Sequence, residues 1–457
     1  MHAADGWISD ARLPDHGVRR ILGVDARRQR WLDVEAALAM AQAEVGLVPQ
    51  ESADVIAAHA RLEKLDVSAL DAGQARTGHL MMPLVTELAR ACGEEHGGWV
   101  HWGATTQNIQ QTGDVLGVRE AHAVLVDLVL DVLDACAALA EDHATVVMPG
   151  RTHGQQAVPI TFGFKVAAWA DAMLRHLERL EGLRERMFVA MTGGATGTFA
   201  AMGQAGPHVQ ELVAARLGLG SMALPSRSIA DPFGELVTVI ALMSATGSTI
   251  AYEVSRLSAA EVGEVRENLP PDDVGSTTMP QKRNAKLCQD MVTIGAHLRS
   301  LTGLALEAVI HAGEVDGAAS AMMDEAVEQS LILAADQLVR LAAVLSELEV
   351  FPDRMRRNLD LTGGAIMAEA LMMALAETLG RQDAHELVHE AAMRSVDHQE
   401  DFATVVAQDP RVTERLSRTE IITLLDPAKH VGLSAELARA TAQRARGAVA
   451  ARRPMGH

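Results

Sequence analysis

Long apolar segments with helical spacing dominate the middle of the chain. Five of them cover residues 121–140, 164–180, 236–254, 289–306 and 330–348. In the first, Asp127, Asp131 and Asp134 are spaced so that all three acids lie on one helical face. Helices with this much apolar surface need neighbours on several sides. The pattern therefore predicts an all-α fold whose central long-helix bundle packs against the bundles of other chains in a homo-oligomer.

Glycine, proline and a change in charge density divide the chain into three mostly helical segments. The N-terminal helical domain, residues 1–110, contains the glycine-rich CGEEHGGW near its end. The long-helix bundle follows at residues 111–350. Near Phe351 and Pro352 a C-terminal helical domain begins, residues 351–457, with shorter amphipathic segments and a basic tail that is typical of a frayed terminus.

Composition agrees with a globular helical protein. Apolar residues make up 48% of the chain and charged residues 22%, which is enough apolar material for a large core. Aromatic residues make up only 3%, and strands are usually rich in them, so helices are favoured. With 60 acidic and 40 basic side chains, the net charge of −20 argues against a nucleic acid or an anionic membrane as a partner.

The sequence also predicts a cytoplasmic protein. Its first residues carry charges and prolines where a signal peptide needs an apolar stretch. Cys92, Cys136 and Cys288 have no CxxC spacing, so neither a disulfide framework nor a zinc site is indicated. Segment 236–254 is almost uncharged, but it contains hydroxyl residues and lacks a basic flank. We therefore interpret it as a buried core helix and not as a membrane span.

Three polar clusters lie between the apolar helices. Residues 101–108 (HWGATTQN) place hydroxyl and amide groups before a helix, where free backbone N–H groups favour an anion, although Thr and Asn are also common helix caps. Residues 150–156 (GRTHGQQ) place His153 among amides and hydroxyls, where it is either a structural loop residue or an acid–base group. Residues 275–284 (GSTTMPQKRN) form a long loop without the spacing of an ATP-binding P-loop.

The third cluster resembles the GSSxMPxKxN signature of the fumarase/aspartase superfamily. HWGATTQN is similar to the first conserved region of that superfamily, and GRTHGQQAVPITFG is similar to the RTHG region of adenylosuccinate lyases. Further similarity runs from RRQRWLDVEAALAMAQAEVGLVP through TGHLMMPLV and TGGATGTFAAMG to GRQDAHELVHEAA. The resemblance covers nearly the whole chain and is strongest to the branch of adenylosuccinate lyases and 3-carboxymuconate cycloisomerases. It implies a cofactor-independent homotetrameric lyase whose active sites are shared between three chains.

The resemblance also implies roles for individual residues. Ser276 would be the base, acting as an alkoxide on a loop that closes over the substrate, or else a simple turn residue. His153 would be the general acid that protonates the leaving group, unless a water does so. The substrate would be bound by Thr105, Thr106, Gln107, Thr152, Gln155, Thr277, Met279, Lys282, Asn284 and His79. Purely structural roles are the alternative for Gln107 and His79, and no metal is implied.

Departures from the adenylosuccinate lyase pattern indicate a small substrate. Residues 311–316 (HAGEVD) lack the arginine of the His-Glu-Arg-Asp-type segment, and residues 226–232 (SRSIADP) replace an Arg-Asp-Arg-His-type stretch. We therefore expect a small polycarboxylate, such as an N-substituted aspartate or a nitrosuccinate-like compound, that undergoes β-elimination to fumarate. A 3-carboxy-cis,cis-muconate cycloisomerase, an adenylosuccinate lyase proper, a non-catalytic helical scaffold and a membrane protein are the alternatives.

Overall fold

The computed structural model describes residues 12–268, 276–279 and 281–453, and these residues form a mostly helical fold. The helices are α1 (Val18–Leu22), α2 (Val24–Glu44), α3 (Gln50–His59), α4 (Val67–Thr77), α5 (Met81–Gly97), α6 (Thr106–Asp142), α7 (Phe162–Gly182), α8 (Arg184–Met187), α9 (Gly206–Leu217), α10 (Asp231–Leu257), α11 (Lys286–Glu307), α12 (Gly317–Ser346), α13 (Pro352–Asn358), α14 (Ala368–Leu379), α15 (Arg381–His398), α16 (Phe402–Gln408), α17 (Pro410–Thr413), α18 (Arg418–Leu424) and α19 (Ser434–Arg452). The prediction of an all-α fold is confirmed.

Among the described residues the strands form three small two-stranded sheets. They are β1 (Val147–Thr152), β2 (Gln155–Thr161), β3 (Val189–Ala190), β4 (Gly220–Ser221), β5 (Val265–Arg266) and β6 (Glu349–Val350). β1 pairs with β2 and β5 with β6 in antiparallel fashion, whereas β3 and β4 are parallel. The β1–β2 hairpin is the longest of these pairings, and the sequence pattern did not predict it.

The five predicted long apolar segments correspond to α6, α7, α10, α11 and α12. Most of them extend beyond the predicted bounds, because polar turns at the helix ends continue the helix without continuing the apolar pattern. Asp127 and Asp134 are exposed and Asp131 is half-buried, as expected for acids on an outward face of α6. The long-helix prediction is therefore correct in position and type.

The chain divides by spatial contacts into two compact units. The first contains the residues up to Leu128, His176–Ala245 and Thr293–Val339, and the second contains Val129–Arg175, Thr246–Val292 and the residues from Arg340 onward. These units are groupings by contact and not by order along the chain. The three-domain division at residues 110 and 350 stays a prediction.

The first unit has a core built around α2. Trp31, Leu38 and Ile56 are among its buried residues, and Leu88 and Ile109 belong to the same cluster. The second unit contains a separate C-terminal core, which includes Leu371, Leu387, Phe402, Val406 and Ile421. Cys92, Cys136 and Cys288 are buried and not disulfide-bonded. Burial raises the pKa of the Cys92 thiol to about 11, so it is unreactive at neutral pH.

Two of the described helices, α10 and α12, are long and apolar enough to cross a membrane by length and composition. In the structure, 61% of the most apolar window of α10 and 72% of that of α12 are buried inside the protein. Core burial accounts for most of the apolar surface of both helices, which favours our interpretation of segment 236–254 as a buried helix.

Packing of α6 against α2 leaves no space at Gly113. A Cβ atom there would lie 2.6 Å from Cδ1 of Trp31. We expect Gly113→Ala to lower the free energy of unfolding by about 1–3 kcal/mol through overpacking. Gly447→Ala in α19 is the control, because nothing lies within 4 Å of its Cβ position, and alanine there should be neutral or stabilising by up to about 1 kcal/mol. Denaturation midpoints measure both, and equal stability of Gly113→Ala and the wild type would contradict this packing.

Candidate active site

His153 lies at the tip of the β1–β2 hairpin. His153 and Gly154 have φ values of 50° and 78°, and Thr152 pairs with Gln155 across the turn. Positive φ at both central residues is the mark of a type I′ turn, the two-residue connection that suits the twist of a hairpin. Thr152, His153 and Gln155 are exposed. The hairpin therefore presents three of the predicted site residues together at its end.

A buried ion pair anchors the base of this hairpin. Arg151 donates two hydrogen bonds to Glu264, at 2.6 and 2.8 Å, and the Glu264 side chain is fully buried. Asn358 in α13 also donates to Glu264, at 2.7 Å. At the turn itself, a Cβ on Gly154 would lie 3.1 Å from Nη2 of Arg256, so this guanidinium lies next to the turn. The hairpin is thus fixed to Glu264, in the segment that follows α10, and through it to α13.

The signature loop places Ser276 in a hydrogen-bonded turn. Its Oγ accepts the backbone N–H of Met279 at 3.1 Å and that of Thr278 at 3.4 Å. Two N–H donors aimed at one hydroxyl oxygen favour its anionic form. Thr277, Met279 and Lys282 are exposed, and Asn284 is half-buried. Gly275 and Pro280 of the predicted signature lie outside the described residues.

Glu267 connects the two ends of the chain segment that carries this loop. Its side chain is buried and accepts the backbone N–H groups of Leu287, at 2.9 Å, and Cys288, at 3.1 Å. These are among the first N–H groups of α11, which have no partner within the helix. Burial raises the pKa of Glu267 by more than these hydrogen bonds lower it. Sequence reasoning missed Glu267, because nothing in its position in the chain shows that it meets residues 20 positions later.

The first cluster, HWGATTQN, is fixed to a glycine-rich segment of the first unit. α6 begins at Thr106, so the helix start predicted near residue 121 lies 15 residues earlier, within this cluster. Asn108 is buried, and its Oδ1 accepts the backbone N–H groups of Gly194, at 3.0 Å, and Thr105, at 3.2 Å. Thr105 and Gln107 line a small cavity with Gly194 and Arg227. This cavity brings together the first cluster, the TGGATG segment and the SRSIAD segment.

In the first unit, two histidines, His79 and His101, have defined hydrogen-bond partners. His79 Nδ1 accepts the backbone N–H groups of Met81, at 3.2 Å, and Met82, at 3.1 Å, so it caps α5 and its ring proton lies on Nε2. His101, which sequence reasoning did not select, has Nδ1 2.6 Å from Oε1 of the buried Glu35. Burial lowers the pKa of His101, but the hydrogen bond and charge of Glu35 together raise it by more, so the pKa lies above that of a free histidine. The signal available in the sequence was Glu35, an acid within the apolar segment that forms α2.

Arg227 has partners within its own unit. Its Nη1 donates to Gln111 at 2.9 Å, and its Nη2 lies 3.4 Å from Asp324. His311, from the segment that lacks the expected arginine, has a buried Nδ1 without a partner among the described residues. Among all the residues that the structure describes, no three His, Cys, Asp or Glu side chains are grouped so that they could hold a metal ion.

The predicted site residues thus occur in two groups. Thr105, Thr106, Gln107 and His79 belong to the first unit. Thr152, His153, Gln155, Ser276, Thr277, Met279, Lys282 and Asn284 belong to the second. Each group is held by buried hydrogen bonds beneath exposed or half-exposed polar side chains, which is an arrangement suited to binding a polar ligand.

Comparison with known proteins gives matches along most of the chain. A family model described as Lyase matches residues 15–297, and one described as Adenylosuccinate lyase C-terminus matches residues 364–441. The N-acetyl-S-(2-succino)cysteine lyase of Dickeya dadantii is 35% identical over 415 residues, which cover 91% of this chain and 91% of that protein. The adenylosuccinate lyase of Pyrococcus horikoshii is 35% identical over 434 residues, which cover 94% and 96%.

A solved structure shows the same fold. The 3-carboxy-cis,cis-muconate lactonizing enzyme from Pseudomonas putida matches with a TM-score of 0.88 and 32% sequence identity. The match covers 96% of this chain and 99% of that one. The likeness therefore extends over nearly the whole chain.

Removing the Glu267 carboxylate should loosen the signature loop. We expect Glu267→Ala to cost about 1–3 kcal/mol, because two buried N–H groups lose their acceptor. Amide hydrogen exchange should accelerate at Leu287, at Cys288 and in the loop before them. Glu261→Ala, at an exposed position six residues earlier, is the matched control and should leave exchange unchanged. Unaltered exchange at Leu287 and Cys288 in Glu267→Ala would show that this contact does not hold the loop.

Proposed function

Since this chain belongs to the fumarase/aspartase superfamily of lyases, in the branch of adenylosuccinate lyases and carboxymuconate cycloisomerases, we propose that it eliminates a leaving group from a substituted succinate and releases fumarate. The observation that carries the proposal is the Ser276 turn, in which two backbone N–H groups point at the hydroxyl oxygen within a superfamily signature.

Ser276 is the proposed base. Its alkoxide takes the proton from the carbon beside one substrate carboxylate, and the electron pair is held on that carboxylate as an aci-carboxylate. When the bond to the leaving group breaks, this pair forms the double bond of fumarate. Serine is far too weak a base unaided, so the N–H groups of Thr278 and Met279, together with the charge of Lys282, support its ionised form.

His153 is the proposed general acid. It stands at the exposed tip of a hairpin whose base is held by the buried pair of Arg151 and Glu264. A rigid anchor below and an exposed imidazole above suit a group that must meet a substrate bound by other elements. A leaving group such as an amine or a thiolate then departs with the proton from His153, unless a water supplies it.

The substrate carboxylates are bound, in this proposal, by hydroxyl, amide and ammonium groups. These are Thr105, Thr106, Gln107, Thr152, Gln155, Thr277, Lys282 and Asn284, with Met279 shaping the closed site. His79 contributes its Nε2–H, since its Nδ1 is occupied by the cap of α5. No cofactor is invoked in these steps.

A small substituted succinate is the proposed substrate. An N-substituted aspartate and a nitrosuccinate-like compound fit the missing arginine at residues 311–316. The name of the relative from Dickeya dadantii adds a succinyl thioether to this class. Arg227 is already paired with Gln111 and Asp324, which leaves it poorly placed to receive a nucleotide phosphate and disfavours adenylosuccinate.

A muconate cycloisomerase is the second candidate, because the lactonizing enzyme from Pseudomonas putida shares the fold over almost the whole chain. In that reaction the nucleophile is a carboxylate of the substrate itself. Lactone formation from 3-carboxy-cis,cis-muconate without release of fumarate would favour this alternative.

We also propose a cytoplasmic homotetramer with active sites shared between three chains. The outer face of α11 and the adjoining segment support this assembly, because Leu306 is 55% exposed and Ile310 is 68% exposed. Tyr252 of α10 is 62% exposed. Exposed large apolar side chains on long central helices are typical of faces that pack against other chains.

Substituting the proposed base and acid should abolish most of the activity. Fumarate release from candidate succinates, followed by its absorbance, measures this. We expect Ser276→Ala and His153→Asn each to lower kcat by about 10²- to 10⁴-fold; asparagine tolerates positive φ, so the turn is retained. Ser346→Ala, at an exposed helix end, is the control. Full activity in Ser276→Ala would rule out the assigned base.

Shared active sites should allow two inactive variants to complement each other. In the proposed sites Ser276 and His153 come from different chains, so co-expression of Ser276→Ala and His153→Asn chains should give mixed tetramers in which some sites contain both groups intact. Activity should then rise well above that of either variant alone, and light scattering should give four chain masses. No recovery in confirmed mixed tetramers would contradict active sites in which Ser276 and His153 come from different chains.

A further inference from the structure

An open groove of about 1030 Å³ in the second unit borders the signature loop. Its described lining contains five cationic side chains, Arg266, Lys282, Arg283, Arg354 and Arg357. The acids that line it are Glu267 and Asp353. In a chain with a net charge of −20, this is a local excess of positive charge, and a groove concentrates such a potential.

Two of the five cations are occupied by the protein itself. Arg266 forms an ion pair with Glu349 and lies over the ring of Phe351, 5.1 Å from its centroid. Arg354 donates to the backbone carbonyls of Val262 and Glu261, each at 2.8 Å. These two side chains shape the wall of the groove and have little capacity left for a ligand.

The other three cations have no such partners. Within residues 12–268, 276–279 and 281–453, the side chains of Lys282, Arg283 and Arg357 make no hydrogen bond or ion pair. Glu267 is turned to the N–H groups of Leu287 and Cys288. An anionic ligand is therefore the natural counter-charge for this groove.

Arg357 differs from the two loop cations in its support. It lies on α13 between Met355, which is fully buried, and Asn358, which is 2% exposed. Asn358 donates to Glu264 at 2.7 Å and to the carbonyl of Val262 at 2.9 Å. The helix that carries Arg357 is thus tied to the same segment that anchors the hairpin. A guanidinium on a fixed helix can bind a carboxylate through two parallel hydrogen bonds.

We propose that Arg357 is a specificity-determining residue that binds a carboxylate on the leaving group of the substrate. This inference rests on the proposed elimination, in which Lys282, on another wall of the groove, holds a carboxylate of the succinyl part. The substrate class is thereby narrowed to succinates whose leaving group carries its own negative charge. No motif in the sequence marks Arg357.

Two substrates that differ by one carboxylate test this assignment. N-acetyl-S-(2-succino)cysteine has a carboxylate on its leaving group, and N-acetyl-S-(2-succino)cysteamine lacks it. We expect Arg357→Ala to lower kcat/KM for the first by about 10- to 100-fold, as for the loss of a charged hydrogen bond, with little change for the second. Arg357→Lys should recover part of the preference, because it keeps the charge but not the paired donors.

Arg356→Ala is the matched control. Arg356 is the neighbouring residue on α13, so its substitution by alanine removes the same charge from the same helix. It does not line the groove, and its guanidinium lies 3.7 Å from the carboxylate of Asp360. It should leave the preference between the two substrates unchanged. The proposal would be overturned if Arg357→Ala left the preference between the two substrates unchanged, including by an equal loss of kcat/KM for both. It would also be overturned if Arg356→Ala changed the preference in the same way.

Binding measured without turnover separates this inference from the proposed reaction. If the wild type cleaves neither thioether, the proposed elimination from succinyl thioethers is wrong. The role of Arg357 is then tested by calorimetry, which measures the binding of tricarboxylate and dicarboxylate ligands without turnover. Tricarballylate is a succinate with one further carboxymethyl group, and succinate is the reference. About tenfold weaker binding of tricarballylate in Arg357→Ala, but not in Arg356→Ala, supports the site, and equal binding in all three proteins refutes it.

Discussion

Two buried carboxylates three residues apart, Glu264 and Glu267, hold the elements of the second unit that carry its candidate catalytic groups. Glu264 binds Arg151 at the base of the hairpin and Asn358 on α13. Glu267 binds the start of α11 behind the signature loop. Leaving a buried carboxylate without its partner lowers the free energy of unfolding by about 3–5 kcal/mol. The hairpin, the loop and α13 are therefore all held in place by this one short segment. The position of His153 and that of Ser276 therefore depend on a common anchor.

The proposed reactive groups themselves are not enclosed by the described residues of this unit. His153 is exposed and Ser276 is half-buried, although an alkoxide base and a carbanion intermediate both require a site from which water is excluded. In the proposed tetramer other chains supply that enclosure. In this proposal the single chain provides the local geometry, and assembly would provide the low-dielectric surroundings in which the Thr278 and Met279 N–H groups have their full effect.

Charge is distributed to the same end. Acidic residues outnumber basic ones over the whole chain, and Arg151, whose side chain is 13% exposed, is matched by the buried Glu264. Around the signature loop the balance reverses, since Lys282 and Arg357 face a groove without acids bound to them. In a chain of net negative charge, this groove is therefore a local site of attraction for anions, which suits a polycarboxylate substrate.

The sequence by itself determined the helical class, the five long helices and the lyase family, because helical periodicity and short motifs are local properties of the chain. It also selected Ser276 and His153. The tertiary structure alone decided that His153 sits in a type I′ turn, that His101 meets Glu35, that Glu267 caps α11 and that Arg357 faces the groove. Most of these features depend on contacts between residues that are distant in the chain, and such contacts produce no periodicity or motif in the sequence. The hairpin was not predicted because the low aromatic content favoured helices.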